Sequence, residues 1–250
     1  MITIKNEQAF STMRVAGRLL AEMFEMLKDE IVPGMSTLDI DSYIANYLAK
    51  HELVSQSKGY HGYKHSSCIS VNEVIVHGVP RVDKQLVVGD LVKVDVCAAW
   101  HGYCADMARC FFVGNVKSLQ AQSLVEAAQR SLDAGIAQAI PGAKLSNISF
   151  AVQQEVEKSG FGVVRDFAGH GIGSNMHEGP EILNYGKPGR GLVIREGMAF
   201  AIEPMITQGS YKVHIEKDGW TARTADKSLA AHVEDTIIIT KDGPQIITRL

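Results

Sequence analysis

The most constraining feature of this chain is a set of carboxylates set in or beside apolar, β-branched runs. Asp95 sits within Leu91-Val92-Lys93-Val94-Asp95-Val96, and Glu203 closes Met198-Ala199-Phe200-Ala201-Ile202. Asp106 precedes the strand-like Cys110-Phe111-Phe112-Val113, and Glu234 opens toward Thr236-Ile237-Ile238-Ile239-Thr240. Such runs read as buried strands. An ionised carboxylate buried there costs several kcal/mol unless something pairs with it. Gathered together, the four would repel by roughly 4 kcal/mol per close pair at an intermediate dielectric. Two divalent cations would cancel four negative charges, so the pattern predicts a two-metal hydrolase site. The competing reading protonates one acid of the Asp95/Asp106 pair or pairs it with Lys93 or Arg109, but that leaves Glu203 and Glu234 unexplained.

An internal repeat gives the acids a reason to meet. Gly89 and Gly197, Asp95 and Glu203, and Pro33-Gly34 and Pro141-Gly142 are pairs each separated by 108 residues. Each half, about 1–115 and 116–250, reads as helix, Pro-Gly, helix, Gly turn, strand with an acid, second strand with an acid. Two such halves would share one core about an approximate two-fold axis, as one catalytic domain over 1–250. The glycine-centred turn near Trp100-His101-Gly102 predicts a hairpin that sets Asp95 directly opposite Asp106.

Residues 6–30 carry apolar side chains at helical spacing, and Pro33-Gly34 stops that helix. Ser36-Thr37-Leu38-Asp39 starts a second helix to about 51. Two more are expected at 118–140 and 145–159. With 250 residues and 46% hydrophobic content, a sizeable core is available. A net charge of −3 gives no electrostatic case for nucleic acid or an anionic membrane, and no apolar run is long enough to span a bilayer. The four cysteines show neither CxxC pairing nor a disulfide framework, which suits a reducing cytoplasm.

Three histidines carry further chemistry. His170 lies in Gly169-His170-Gly171-Ile172-Gly173, where flanking glycines allow the backbone close approach to a neighbour, so a loop-held metal ligand is expected. His177 follows, an acid or hydrogen-bond donor beside a metal but otherwise a plain loop residue. His77 ends an apolar strand and alone reads as a capped core residue. Trp220, one of two tryptophans, walls a pocket or packs in the core.

The series Asp95, Asp106, Gly169-His170-Gly171, Ile202-Glu203-Pro204-Met205 and Glu234 resembles the type I methionine aminopeptidases. Gly59-Tyr60-His61-Gly62-Tyr63, His77-Gly78 and Lys217-Asp218-Gly219-Trp220 extend the match almost end to end. The resemblance implies the pita-bread α/β (α+β) fold: two pseudo-two-fold halves with a central curved antiparallel sheet flanked by helices. It implies removal of the initiator methionine from nascent proteins and peptides, preferring a small second residue, by water attack on the scissile carbonyl at a dinuclear centre. Asp95, Asp106, His170, Glu203 and Glu234 would ligate two divalent ions (Mn, Fe or Co), with Glu203 also shuttling a proton. His177 and His77 would contact the carbonyl and the scissile amide. Tyr60, Tyr63, Cys68, His77, His177 and Trp220 would bind substrate. The implied protein is a cytoplasmic monomer in transient contact with the ribosome. Ser57, Cys97, Cys104, Met107, Met176 and Asp235 depart from the residues usual at their positions. The alternatives are an Xaa-Pro peptidase of the same fold and a non-enzymatic binding module.

Overall fold

The computed structural model describes residues 2–115 and 118–250. The expected boundary between the halves falls beside Val116 and Lys117, which lie outside the described residues. Four helices form. Helix α1 (Glu7–Glu30) begins where the Asn6 side chain accepts from the Ala9 amide, and it buries Met13, Ala16, Leu20, Met23, Phe24 and Leu27 on one stripe. Helix α2 (Thr37–Lys50) starts at a reciprocal Ser36/Asp39 capping box. Helix α3 covers Leu119–Ile136 and α4 covers Ser146–Lys158. Helix α3 ends earlier than its apolar pattern predicts. Its last residues tighten into i→i−3 bonds, with Gln138 donating to Gly135 and Ala139 to Ile136, ahead of Pro141-Gly142.

The central sheet is nine-stranded and its pairs are antiparallel. Its spine runs in the order Leu91–Trp100, Tyr103–Phe112, Glu234–Thr240, Ala199–Ile202, Gly169–Gly171, Glu178–Ile182. Alternation divides each strand between two faces. Val92, Val94 and Val96 join α1 and α2 in one apolar cluster, while Phe200, Ile202, Ile237 and Ile239 join α3 and α4 in another. Asp95, Asp106, Ala108, Ala201 and Glu234 lie on the other face.

The 108-residue offset recurs in the backbone. Gly34 and Gly142 both have φ of +88°, in the left-handed region that glycine adopts freely. The Gly34 amide donates to Leu86 and the Gly142 amide to Ile194. Ser36 bridges Gln85, and Lys144 bridges Val193.

Two expectations about the sheet need correction. The hairpin turns on His101 and Gly102, with φ of +46° and +83°, and pairs Trp100 with Tyr103. Asp95 therefore faces Ala108, and Asp106 faces Cys97. The two aspartates are diagonal rather than directly opposite. They still share a face, because the register differs from the expected one by an even step. His170, expected on a loop, lies on the short strand Gly169–Gly171 between two neighbours. The flanking glycines explain that position. A Cβ at Gly171 would collide with the Gly179 carbonyl, and one at Gly169 with the Ala201 carbonyl.

Candidate metal centre

The sheet register assembles the site. Ala108 is the cross-strand partner of both Asp95 and Glu234, so an acid, a methyl group and an acid form one row. Asp106 lies two residues before Ala108 on the same face. Its amide donates to the Thr236 hydroxyl at 2.8 Å, tying its strand to that of Glu234. In the next row, Ala201 pairs with both Thr236 and His170. Glu203 follows the end of that strand, on the face Ala201 occupies. The small side chains of Ala108 and Ala201 leave room for four carboxylates and an imidazole to converge.

Asp106, His170 and Glu234 each offer a ligand atom, and these atoms lie within 4.8 Å of one another. His170 Nε2 is 3.8 Å from Asp106 Oδ2 and 3.5 Å from Glu203 Oε1. Among the described residues, no lysine or arginine forms an ion pair with these carboxylates. Buried Lys93 donates instead to the Asn72 carbonyl at 2.8 Å, and burial pulls its ammonium down to about 7. Arg109 donates to the Glu234 carbonyl and to the carboxylate of Asp235. The unusual Asp235 is thus accounted for: fully buried, it anchors Arg109, Arg249 and the Thr248 hydroxyl.

Burial pushes Asp95, Asp106, Glu203 and Glu234 well above the usual carboxylate range, and mutual repulsion adds to it for Asp95, Asp106 and Glu234. Glu234 Oε1 is buried without a hydrogen-bond partner. Burial also holds His170 down to about 4, which keeps its nitrogens neutral for ligation. Unpaired, mutually repelling carboxylates with a neutral imidazole among them fit a divalent cation, and the oxygen-rich donor set suits a hard one.

All eleven residues singled out in the sequence line one cavity of about 120 Å³: Tyr60, Tyr63, Cys68, His77, Asp95, Asp106, His170, His177, Glu203, Trp220 and Glu234. Ser57, Cys97 and Met176 line it too. Tyr63 and Trp220 meet edge to face at 5.0 Å, forming an apolar wall. Trp220 thus walls a pocket. His77 adopts φ +57° just after the strand Val74–Val76 and meets Phe167 edge to face at 5.2 Å. His177 Nδ1 lies 3.0 Å from the Tyr60 hydroxyl, and its ring packs 4.4 Å from that of His170.

Two features escaped the sequence reading. His232 lies 3.7 Å from Glu203. It shares the parity of Glu234 in the buried run Ala230-Ala231-His232-Val233, and that alternation was its signal. The second is the anchor of the cavity loop. Asp41 on α2 accepts from the amides of Ser66 and Ser67, both at 2.9 Å, and from the Ser67 hydroxyl at 2.7 Å. His65 Nδ1 stands 3.2 Å away, and the Tyr63 hydroxyl donates to the Ser67 carbonyl at 3.0 Å. Asp41→Ala would strand two buried amides, at a cost of about 2–3 kcal/mol. The variant is expected to melt earlier and to lose hydrogen-exchange protection at Ser66 and Ser67. Unchanged protection would show that this carboxylate does not hold the loop.

Comparison with known proteins agrees with this geometry. The model of metallopeptidase family M24 matches residues 11–241. A methionine aminopeptidase of Clostridium perfringens is 44% identical over 248 residues, covering 99% of each chain. The crystal structure of methionine aminopeptidase from Rickettsia prowazekii superposes with a TM-score of 0.97 at 41% identity, over 99% of this chain and 100% of that one. The prolidase from Pyrococcus furiosus, at 22% identity and a TM-score of 0.77, covers 99% of this chain and 65% of its own, and shares the fold. This divalent-metal hydrolase belongs to metallopeptidase family M24 and, within it, to the methionine aminopeptidases.

Proposed function

We propose that this chain removes the N-terminal methionine from peptides and newly made proteins in the cytoplasm, using two divalent ions held by Asp95, Asp106, His170, Glu203 and Glu234. The observation that carries the reading is the convergence of four unneutralised carboxylates and an imidazole on a cavity with an aromatic wall. Asp106 and Glu234, central in the sheet, would serve both ions, with Asp95 completing one site and His170 and Glu203 the other. Bound there, the cations cancel the carboxylate charge and supply Lewis acidity toward the scissile carbonyl. Manganese, iron and cobalt suit this hard donor set.

The chain's own groups do the rest. Glu203 takes up the proton that the attacking water gives up and returns it to the leaving amine. His177, oriented by the Tyr60 hydroxyl, donates a hydrogen bond to the oxygen on which charge develops. His77 contacts the scissile amide. Tyr60, Tyr63, Cys68 and Trp220 enclose the methionine side chain, whose unbranched thioether bends to fill an irregular slot.

The test is release of methionine from a Met-Ala-Ser peptide with added Mn²⁺, Fe²⁺ or Co²⁺, alongside Xaa-Pro peptides and the Glu203→Ala variant. Metal-dependent release that vanishes in the variant, with no cleavage before proline, is expected. Cleavage confined to Xaa-Pro peptides would replace this reading with a proline-directed one. Inertness of the folded, metal-loaded chain toward both would indicate a binding role.

A further inference from the structure

Beside the cavity stands a buried polar side chain that the fold leaves unsatisfied. His232 is 2% exposed, and neither ring nitrogen has a hydrogen-bond partner. A leucine there would fill the space without that penalty, so the unpaired imidazole calls for an explanation. Its position is well fixed. The strand Ala230–His232 pairs His232 with Met205, and the His232 carbonyl accepts from the Cys110 thiol at 3.4 Å. The facing acid is held as well, since the Glu203 carbonyl accepts from Asn184 Nδ2 at 2.9 Å.

Glu203 is bracketed by two imidazoles. Its Oε1 is 3.5 Å from His170 Nε2, on the side of the Asp106/His170/Glu234 group. Its Oε2 is 3.7 Å from His232 Nε2. Asp106, His170 and Glu234 offer the mutually close ligand atoms, and His232, like Asp95 and Glu203, stands beside them. A closure of less than about 1 Å would bring Nε2–H into hydrogen-bond range of Oε2. A cation on Oε1 would favour that closure, because it keeps the carboxylate ionised and hence a stronger acceptor.

We infer that His232 is a positioning residue of the metal centre, its Nε2–H donating to Glu203 Oε2 and so fixing Oε1 on the His170 side. The inference rests on the reading of Glu203 as a ligand. It gives the orphaned imidazole a partner, and it supplies Glu203 with the kind of outer hydrogen bond that ligating carboxylates take.

The test uses the full chain, stripped with chelator and then titrated calorimetrically with Mn²⁺, as wild type, His232→Leu and His232→Gln. Leucine keeps the packing and removes the donor. Glutamine places an amide N–H at similar reach. His232→Leu is expected to bind its weaker-held ion about 10–100-fold less tightly, and to lose a similar factor in kcat on Met-Ala-Ser with KM little changed. His232→Gln is expected to restore both. Should His232→Leu fail to fold, His232→Asn, polar but one methylene short, takes its place. Manganese affinity and kcat unchanged in a folded His232→Leu or His232→Asn would overturn the inference alone and leave His232 a packing residue. Loss in His232→Gln equal to that in His232→Leu, together with an altered visible spectrum of the Co²⁺-loaded chain, would overturn it in favour of direct ligation. A wild type that takes up no Mn²⁺ would overturn the metal-centre reading and this inference together.

Discussion

Asp106→Asn is expected to lower methionine release from Met-Ala-Ser about 1,000-fold or more, at saturating Mn²⁺ and with the fold intact. Asparagine nearly matches aspartate in shape. The backbone ties of residue 106 to the Thr236 hydroxyl, 2.8 Å in each direction, do not involve the side chain and are retained. What is lost is a charge and one of two equivalent oxygens at the place where, on the proposed reading, two ions would be shared. Metal polarisation contributes several kcal/mol to the transition state, and about 4 kcal/mol corresponds to roughly 1,000-fold in rate. Steady-state kinetics beside a thermal melt measure this. A well-folded variant within tenfold of the wild type would show that Asp106 does not bridge.

Removing metal is expected to produce the largest change in stability. Ligand at about 1,000 times its dissociation constant stabilises by about 4 kcal/mol. At about 2–4 °C per kcal/mol for a chain of this size, chelation should lower the melting temperature by about 8–16 °C. The metal-free chain should also respond to pH in a defined sense. Asp95 and Glu203 are pushed up to about 8 and Asp106 to about 7, chiefly by burial. Between their ordinary values and these, the folded chain holds protons that the unfolded chain has lost, so stability falls as pH rises. His77, His170 and His232 oppose that trend. Burial lowers each from 6.5 to about 4, so across that interval they add stability as pH rises. Above about 6.5 their contribution is constant. From about 7 upward Lys93, whose ammonium burial pulls down to about 7, adds stability as pH rises, but it is one group against the raised carboxylates of Asp95, Glu203 and Glu234. Melts in chelator should therefore show stability declining from pH 6.5 to 8, and excess Mn²⁺ should abolish the decline. A flat or rising metal-free profile in that window would mean the carboxylates are not held protonated by burial.

The helices and the acid-bearing strands were legible because their signals are local. The Ser36/Asp39 capping box, the Pro-Gly stops and the stripe from Met13 to Leu27 lie within a few turns of one another. The four acids stood out because charge interrupts otherwise apolar strands. The hairpin register was less legible. A period of two puts Asp95 and Asp106 on one face in either register, so hydrophobic pattern does not separate them. The deciding factor is the turn, where His101 and Gly102 both take positive φ in the manner of a tight two-residue hairpin. A three-residue strand such as Gly169–Gly171 is too short to display any period. Asp41 reaches Ser67 across 26 residues, and nothing local in either segment announces that bond. His232 resembled a core histidine because its significance depends on Glu203, which the fold, not the sequence, brings beside it.

The most direct test of the central reading is the anomalous diffraction of crystals grown with Mn²⁺. Two peaks about 3.5–4 Å apart are expected in the cavity, both touching Asp106 and Glu234, one also Asp95 and the other His170 and Glu203. A single peak, or density away from these five side chains, would contradict a dinuclear centre built on the acid row of the sheet.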